Sequence, residues 1–324
     1  MKDKFYFTTN LANHHEPSDR YQSSSSWRSC SLCLIILILF MLSSCTSEKN
    51  KQITDRSGRS VTIKGDISRI VSTAPSNTEI IFDLGQAYKL VAIDIHSANV
   101  EGIPSGLPLL DFFYPDAEVI IKLEPDIIIA SGHNPTGSGE DPFKMLREIG
   151  IPVVYISMSE SIEDIYKDIA FIAELLQVKE KGGELIALMR EQVNEIAQIA
   201  PRNENRKTVY FEISAAPLMM TFGKDSFIND MITVIGARNI FENDKWLVTP
   251  GAESIINRNP DVILTNVNYI ENPIEEIKNR QGFNHINAVI NNRIYLIDND
   301  SSSRPSTRII LALSQMQRAV YGDL

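Results

Sequence analysis

After Cys45 this 324-residue chain has no cysteine, its three thiols being Cys30, Cys33 and Cys45. A mature body that follows them has no disulfide and no thiolate for metal binding or nucleophilic attack, so it must fold on its hydrophobic core. Histidine is scarce as well. Beyond Cys45 only His96, His133 and His285 remain, with no spacing that forces them together, and a bare zinc or manganese ion would want several such ligands converging. No cluster of Lys or Arg occurs, and the formal net charge of -10 offers nothing attractive to phosphate backbones, which excludes nucleic acid as a partner. Gly-x-Ser-x-Gly, P-loop and His-Glu-x-x-His signatures are absent, and Gly137-Ser138-Gly139 reads as a flexible connection. No enzyme is indicated, and no resident cofactor is expected.

Long apolar runs are also rare. The single one, Leu32 to Leu42, has eleven residues, which at about 1.5 Å per residue falls short of a hydrocarbon core of about 30 Å. Its length suits the apolar part of a secretory signal, and small residues follow it where cleavage would need them. Leu42-Ser43-Ser44-Cys45 resembles the lipobox of bacterial lipoproteins, which implies a signal peptide over 1–44 and a diacylated Cys45 as the first mature residue. The polar stretch ahead of the run carries mixed charges and is long for an n-region. Residues 45–52, rich in Ser, Lys and Asn, read as a tether that keeps the protein extracytoplasmic and membrane-anchored.

A body of this size with 43% hydrophobic residues can form two cores. Apolar, β-branched runs at Arg69–Ser72, Leu90–Ile93, Asp126–Ser131 and Pro152–Ile156 alternate with helical patterns. The spacing predicts a parallel α/β lobe over 53–157. Ala74-Pro75-Ser76-Asn77-Thr78-Glu79 reads as a helix start with a capping box between Ser76 and Glu79, and Gly85 as its end. Two helices are expected over 158–200, the second at Lys179–Ile199 with Leu185, Leu188, Met189, Val193 and Ile196 at helical spacing. A second lobe over 201–324 is expected from strands at Thr208–Ile213, Asp261–Thr265 and Arg293–Ile297, with helices near Ser226–Ile235, Pro250–Asn257 and Arg304–Tyr321. The halves also repeat. Glu118-Val-Ile-Ile-Lys-Leu-Glu-Pro-Asp-Ile-Ile-Ile129 aligns without gaps on Glu253-Ser-Ile-Ile-Asn-Arg-Asn-Pro-Asp-Val-Ile-Leu264, each a short helix, a Pro-Asp break and a buried strand.

Four segments now resemble the periplasmic binding proteins for cobalamin and ferric siderophores: Arg69–Ile80, Leu123–Ile129, Gly223-Lys-Asp-Ser-Phe-Ile-Asn-Asp-Met231 and Ser303-Arg-Pro-Ser-Thr-Arg308. The cobalamin-binding members are the most similar, through Gly-Lys-Asp-Ser-Phe and Arg-Pro-Ser-Thr-Arg. The resemblance implies an α/β fold of two similar lobes joined by the single helix 179–199, with a ligand cleft between them. It implies a monomer that takes cobalamin, haem or a ferric siderophore, a ligand that itself carries cobalt or iron, and delivers it to an ABC permease dimer with its ATPase subunits.

A large flat ligand wants aromatic and thioether surface with a few polar groups at the rim. The resemblance assigns aromatic contacts to Phe112, Phe113 and Tyr114, to Trp246 as the only Trp after Cys45, and to the position of His96. Met220, with Met219 and Phe222, is expected on the floor. Asp300 and Arg304 match polar contacts at the start of the last helix, and Arg304 has five donors in a fixed fork. Glu118 and Glu253, equivalent in the repeat, match the two carboxylates that dock on permease arginines. Glu79 needs no role beyond its capping box.

Overall fold

The computed structural model describes residues 50–111, 113–132, 141–200 and 206–322. Cys45, Phe112, His133 and Gly137–Gly139 lie outside the described residues. The chain enters through a hairpin, β1 (Lys51–Thr54) and β2 (Ser60–Ile63), paired antiparallel. Among the described residues the first strand thus begins at Lys51, inside the segment expected to be tether. Asp55 fixes the turn by accepting from the backbone N–H of Ser57 and Arg59, each at 2.9 Å, and docks it by accepting from Tyr155 N–H at 3.0 Å.

The N-terminal lobe follows: β3 (Ile70–Ser72), α1 (Pro75–Asp83), β4 (Leu90–Asp94), β5 (Leu109–Leu110), α2 (Ala117–Lys122), β6 (Ile127–Ser131), α3 (Lys144–Glu148) and β7 (Val153–Ile156). Its five strands are all parallel in the order β5-β4-β3-β6-β7. Then come α4 (Ile162–Leu175) and α5 (Lys179–Ile199). The C-terminal lobe consists of β8 (Thr208–Glu212), β9 (Thr221–Phe222), α6 (Phe227–Val234), β10 (Arg238–Asn239), β11 (Leu247–Val248), α7 (Ala252–Arg258), β12 (Val262–Thr265), α8 (Pro273–Lys278), α9 (Asn287–Ile290), β13 (Ile294–Leu296), α10 (Asn299–Ser303) and α11 (Ile309–Tyr321). Its main sheet, β10-β8-β12-β13, is again all parallel, and β9 pairs with β11 antiparallel.

The central strands of both sheets, β3 and β6 in one and β8 and β12 in the other, are buried on both faces, which is why they read as apolar runs. Ile127 and Ile129 of β6 and Val262 and Leu264 of β12 share one apolar cluster that continues through both lobes. Ile128 and Ala130 point into a second cluster confined to the N-terminal lobe, and Ile263 into a third confined to the C-terminal lobe. Full burial of each such side chain contributes about 1.5–3 kcal/mol. The joining helix α5 packs on α4 from one lobe and on α6 and α11 from the other. It approaches α4 closely at Gly182, where a Cβ would stand 2.4 Å from the Ala173 Cβ.

The repeat has a structural cause. Asp126 accepts from the N–H groups of Ser68 and Arg69 at 2.7 and 2.8 Å, at the entry to β3, the strand beside its own. Asp261 does the same for β8, accepting from the Thr208 N–H and hydroxyl, both at 3.0 Å. The residues before the two prolines, Glu124 and Asn259, share left-handed φ values of 44° and 43°. The Pro-Asp pair therefore ends a helix and clasps the neighbouring strand in both lobes.

Two expectations are corrected. The N-cap of α1 is Ala74 without a side-chain cap, and Pro75 occupies the first turn, so Ser76 is already inside the helix and cannot form a capping box with Glu79. The last helix starts at Ile309 rather than Arg304, because Pro305 interrupts it and Arg304 closes the short α10.

Candidate functional site: the cleft between the lobes

Strand ends and helix starts from both lobes enclose a cavity of about 490 Å³. From the N-terminal lobe come the first turn of α1 (Pro75, Ser76, Asn77), His96, Phe113 and the segment Ile156–Ser159 leaving β7. The C-terminal lobe contributes Ile213, Phe222, Phe227, Ile228 and Trp246, with Ser303, Arg304 and Pro305 on the floor. Carboxyl ends of parallel strands are where open α/β sheets leave room for ligands.

The aromatic side is built by backbone geometry. Gly223 N–H donates to the Trp246 carbonyl at 2.8 Å, and Trp246 N–H to the Lys224 carbonyl at 2.9 Å. A side chain at Gly223 would collide with the Asp244 carbonyl, 2.0 Å from an added Cβ, so glycine is required there. Trp246 itself takes a left-handed φ of 55° and packs edge-on against Phe222, ring centroids 5.2 Å apart. In the same segment Ser226 caps α6 through the Asn229 N–H, which sets Phe227 and Ile228 against the cleft. Gly-Lys-Asp-Ser-Phe is thus one device for mounting an apolar wall.

The floor is polar and fully engaged. Arg304, 8% exposed, donates to Glu79 Oε1 at 2.7 Å, to the His96 carbonyl at 3.1 Å and to Asn99 Oδ1 at 2.9 Å, and pairs with Asp300 at 2.7 Å. Ser306 donates to the other Glu79 oxygen at 2.5 Å, and Thr307 to Asp83. These contacts bind α1 of one lobe to the 300–308 segment of the other. Burial pushes the Glu79 carboxyl above the usual carboxylate range, against the opposing pull of Ser306 and Arg304. Glu79 is therefore a lobe-to-lobe anchor, which corrects its reading as a helix cap.

Asp168 of α4 also reaches the cavity, buried and held by Arg56 Nε at 2.6 Å and Ser159 Oγ at 3.1 Å. Burial pushes its carboxyl up to about 6. Among the described residues no group of three or more His, Cys, Asp or Glu is placed to hold a metal ion.

The cavity brings together His96, Phe113, Trp246 and Arg304 of the sequence candidates, and Phe222. Asp300 lines a neighbouring cavity. Tyr114 stands 84% exposed without lining either, and Met220 lines neither, while Met219 is buried in the C-terminal core. Glu118 and Glu253 are exposed, each the second residue of its helix. Sequence reasoning missed Asp168, Glu79 and the Phe227–Ile228 pair. Asp168 left a signal, for it interrupts the apolar stripe Ile165, Ile169, Ile172 of α4.

A family model described as periplasmic binding protein matches residues 70–301. An uncharacterized ABC transporter substrate-binding lipoprotein of Bacillus subtilis is 31% identical over 273 residues, 84% of this chain and 85% of that one. A vitamin B12-binding protein of Vibrio campbellii is 26% identical over 253 residues, 78% of this chain and 89% of that one. The crystal structure of a possible iron-binding, periplasmic solute-binding protein of Staphylococcus epidermidis superposes with a TM-score of 0.71 at 33% identity, covering 79% of this chain and 99% of that one.

Proposed function

The chain belongs to the periplasmic binding protein family, whose members are substrate-binding transport components rather than enzymes, and from that premise we propose that it is the lipid-anchored binding component of an ABC importer, holding cobalamin in its cleft and delivering it to the permease. The observation that carries this reading is the cavity itself: an aromatic and aliphatic wall, Phe222 and Trp246 from one lobe facing Phe113 and Ile156 from the other, suits a broad, flat, metal-bearing ligand. The likeness to a vitamin B12-binding protein supports cobalamin. A ferric complex in the same cavity is the second reading, favoured by the likeness to a possible iron-binding protein. Cys45 would carry the anchor, as the lipoprotein name of the Bacillus relative suggests. Glu118 and Glu253, exposed at equivalent helix starts, would dock on the permease.

Trp246 is the only Trp beyond residue 45, so its fluorescence reports the cleft directly. Titrating the protein without its first 45 residues with cyanocobalamin, haem and ferric siderophores should give saturable quenching by cobalamin. Saturation by an iron complex alone would replace the first reading with the second, and quenching by none would remove the ligand from this cleft.

A further inference from the structure

β7 stands at the edge of the N-terminal sheet, and the segment that leaves it, Ile156–Ser159, lines the cleft. An edge strand presents outward N–H and C=O groups that need partners. The turn of the β1–β2 hairpin supplies them. Besides the Asp55 carboxylate on the Tyr155 N–H, the Arg56 N–H donates to the Tyr155 carbonyl at 3.1 Å, and the Arg56 carbonyl accepts from Ser157 Oγ at 2.5 Å. The Arg56 side chain then turns to α4, where its Nε donates to Asp168 Oδ1 at 2.6 Å and its Nη2 stands 3.7 Å from Asp164 Oδ1. Asp168 is buried and lines the cleft, and among the described residues Arg56 is the one cation within ion-pair distance of it. Burial pushes the Asp168 carboxyl up, and Arg56 is the strongest opposing pull. The second Asp168 oxygen accepts from Ser159 Oγ at 3.1 Å. Arg56 thus holds two lining residues, Ser157 by its backbone and Asp168 by its guanidinium, and reaches a third, Ser159, through Asp168, while lining neither cavity itself.

We propose that Arg56 is a positioning residue for ligand binding: from outside the cavity, the hairpin turn clamps the exit of β7 to Asp168 and so sets the N-terminal wall of the cleft. A wall held in place before the ligand arrives spares binding the cost of ordering it. The inference rests on the cleft being the ligand site.

The test is the Trp246 titration with cyanocobalamin, haem and a ferric siderophore, continued with whichever saturates the native protein, at a temperature where circular dichroism shows each variant folded. Arg56→Met removes the guanidinium and should weaken binding by about tenfold, equivalent to one charge-assisted hydrogen bond lost from the frame. Arg56→Lys, whose ammonium can still meet Asp168, should recover most of that loss. Gln52→Ala breaks the 2.7 Å bond between Gln52 and Ser60 within the hairpin but leaves the clamp alone, so its affinity should be native. In an Asp168→Asn background Arg56→Met should add less than about threefold, because its effect passes through that carboxylate. Should Arg56→Met fail to fold, Arg56→Gln takes its place. Native affinity in the folded Arg56 variant, an equal loss in Gln52→Ala, or an undiminished loss in the Asp168→Asn background would overturn the inference and leave the cleft reading standing. Saturation by none of the three probes would take down the cleft reading, and this one with it.

Discussion

Glu79 and Arg304 lie 225 positions apart in the chain, meet at 2.7 Å and are almost completely buried, so removing one strands the other. Glu79→Ala leaves the guanidinium in a site with little water, and breaking a buried ion pair from one side costs about 3–5 kcal/mol. Asp300 remains on Arg304, which puts the loss near ~3 kcal/mol. The Ser306 hydroxyl loses its acceptor as well, adding ~1 kcal/mol. A total of ~4 kcal/mol corresponds to a melting temperature lower by ~8–16 °C for a body of this size. Urea unfolding followed by circular dichroism measures the loss, and a cycle with Arg304→Met tests its origin. The double variant Glu79→Ala/Arg304→Met should be more stable than the sum of the single losses predicts, by at least ~1.5 kcal/mol, because the stranded charge is gone. A Glu79→Ala protein within ~1 kcal/mol of the native one, or strictly additive single losses, would refute the anchor.

Three further outcomes are expected. Asp168, raised to about 6 in the fold from an ordinary value of about 3.8, keeps a proton that the unfolded chain has lost between those values. Its contribution to stability therefore falls by ~3 kcal/mol as pH rises through that window, so the stability gap between the native protein and Asp168→Asn should shift by that amount between pH 3.5 and 6.5; a constant gap refutes it. Cys45→Ser should leave the protein unprocessed or released from membranes, and a processed variant that still sediments with membranes would remove the lipid anchor. Glu118→Arg and Glu253→Arg should leave ligand affinity unchanged but lower the stimulation of the transporter's ATPase, with near-complete loss of uptake in the double variant; full uptake by that variant in vesicles with the native permease would return both residues to being ordinary charges at helix starts.

What could be read from the sequence is what local chemistry determines. β6 and β12 were legible because a parallel strand covered on both faces must be apolar without alternation, and α5 because its buried positions recur at helical spacing. The repeat was legible as a pattern, and its reason, the carboxylates of Asp126 and Asp261 clasping adjacent strands, needed only nearby partners. The β1–β2 hairpin was not legible, since its strands are short and mostly exposed and its turn is held by a contact to Tyr155, 100 positions away. Ser76 and Glu79 match a capping box by spacing alone, and nothing near them in the chain reveals that the helix starts at Pro75 or that Arg304 waits for Glu79.

Glu79, missed at the cleft, shares that property, and it bears on how the protein works. Glu79, Asp83, Arg304, Ser306 and Thr307 have meaning only as pairs across the lobes, and such pairs hold the lobe angle together with helix α5 and the apolar cluster that both lobes share. A helix and a buried ion pair on the cleft floor together oppose wide hinge closure, so the cavity has to be largely preformed. Arg304 belongs both to this anchor and to the lining of both cavities, so the lobe-to-lobe contacts and the polar lining of the cleft share one side chain. If that is so, loosening the anchor by Glu79→Gln, which keeps the shape and removes the charge, should weaken ligand binding even though Glu79 lines neither cavity. Fluorescence titration of the Trp246 signal would show the drop, and an affinity unaltered in a Glu79→Gln protein that has lost stability would separate the anchor from the site.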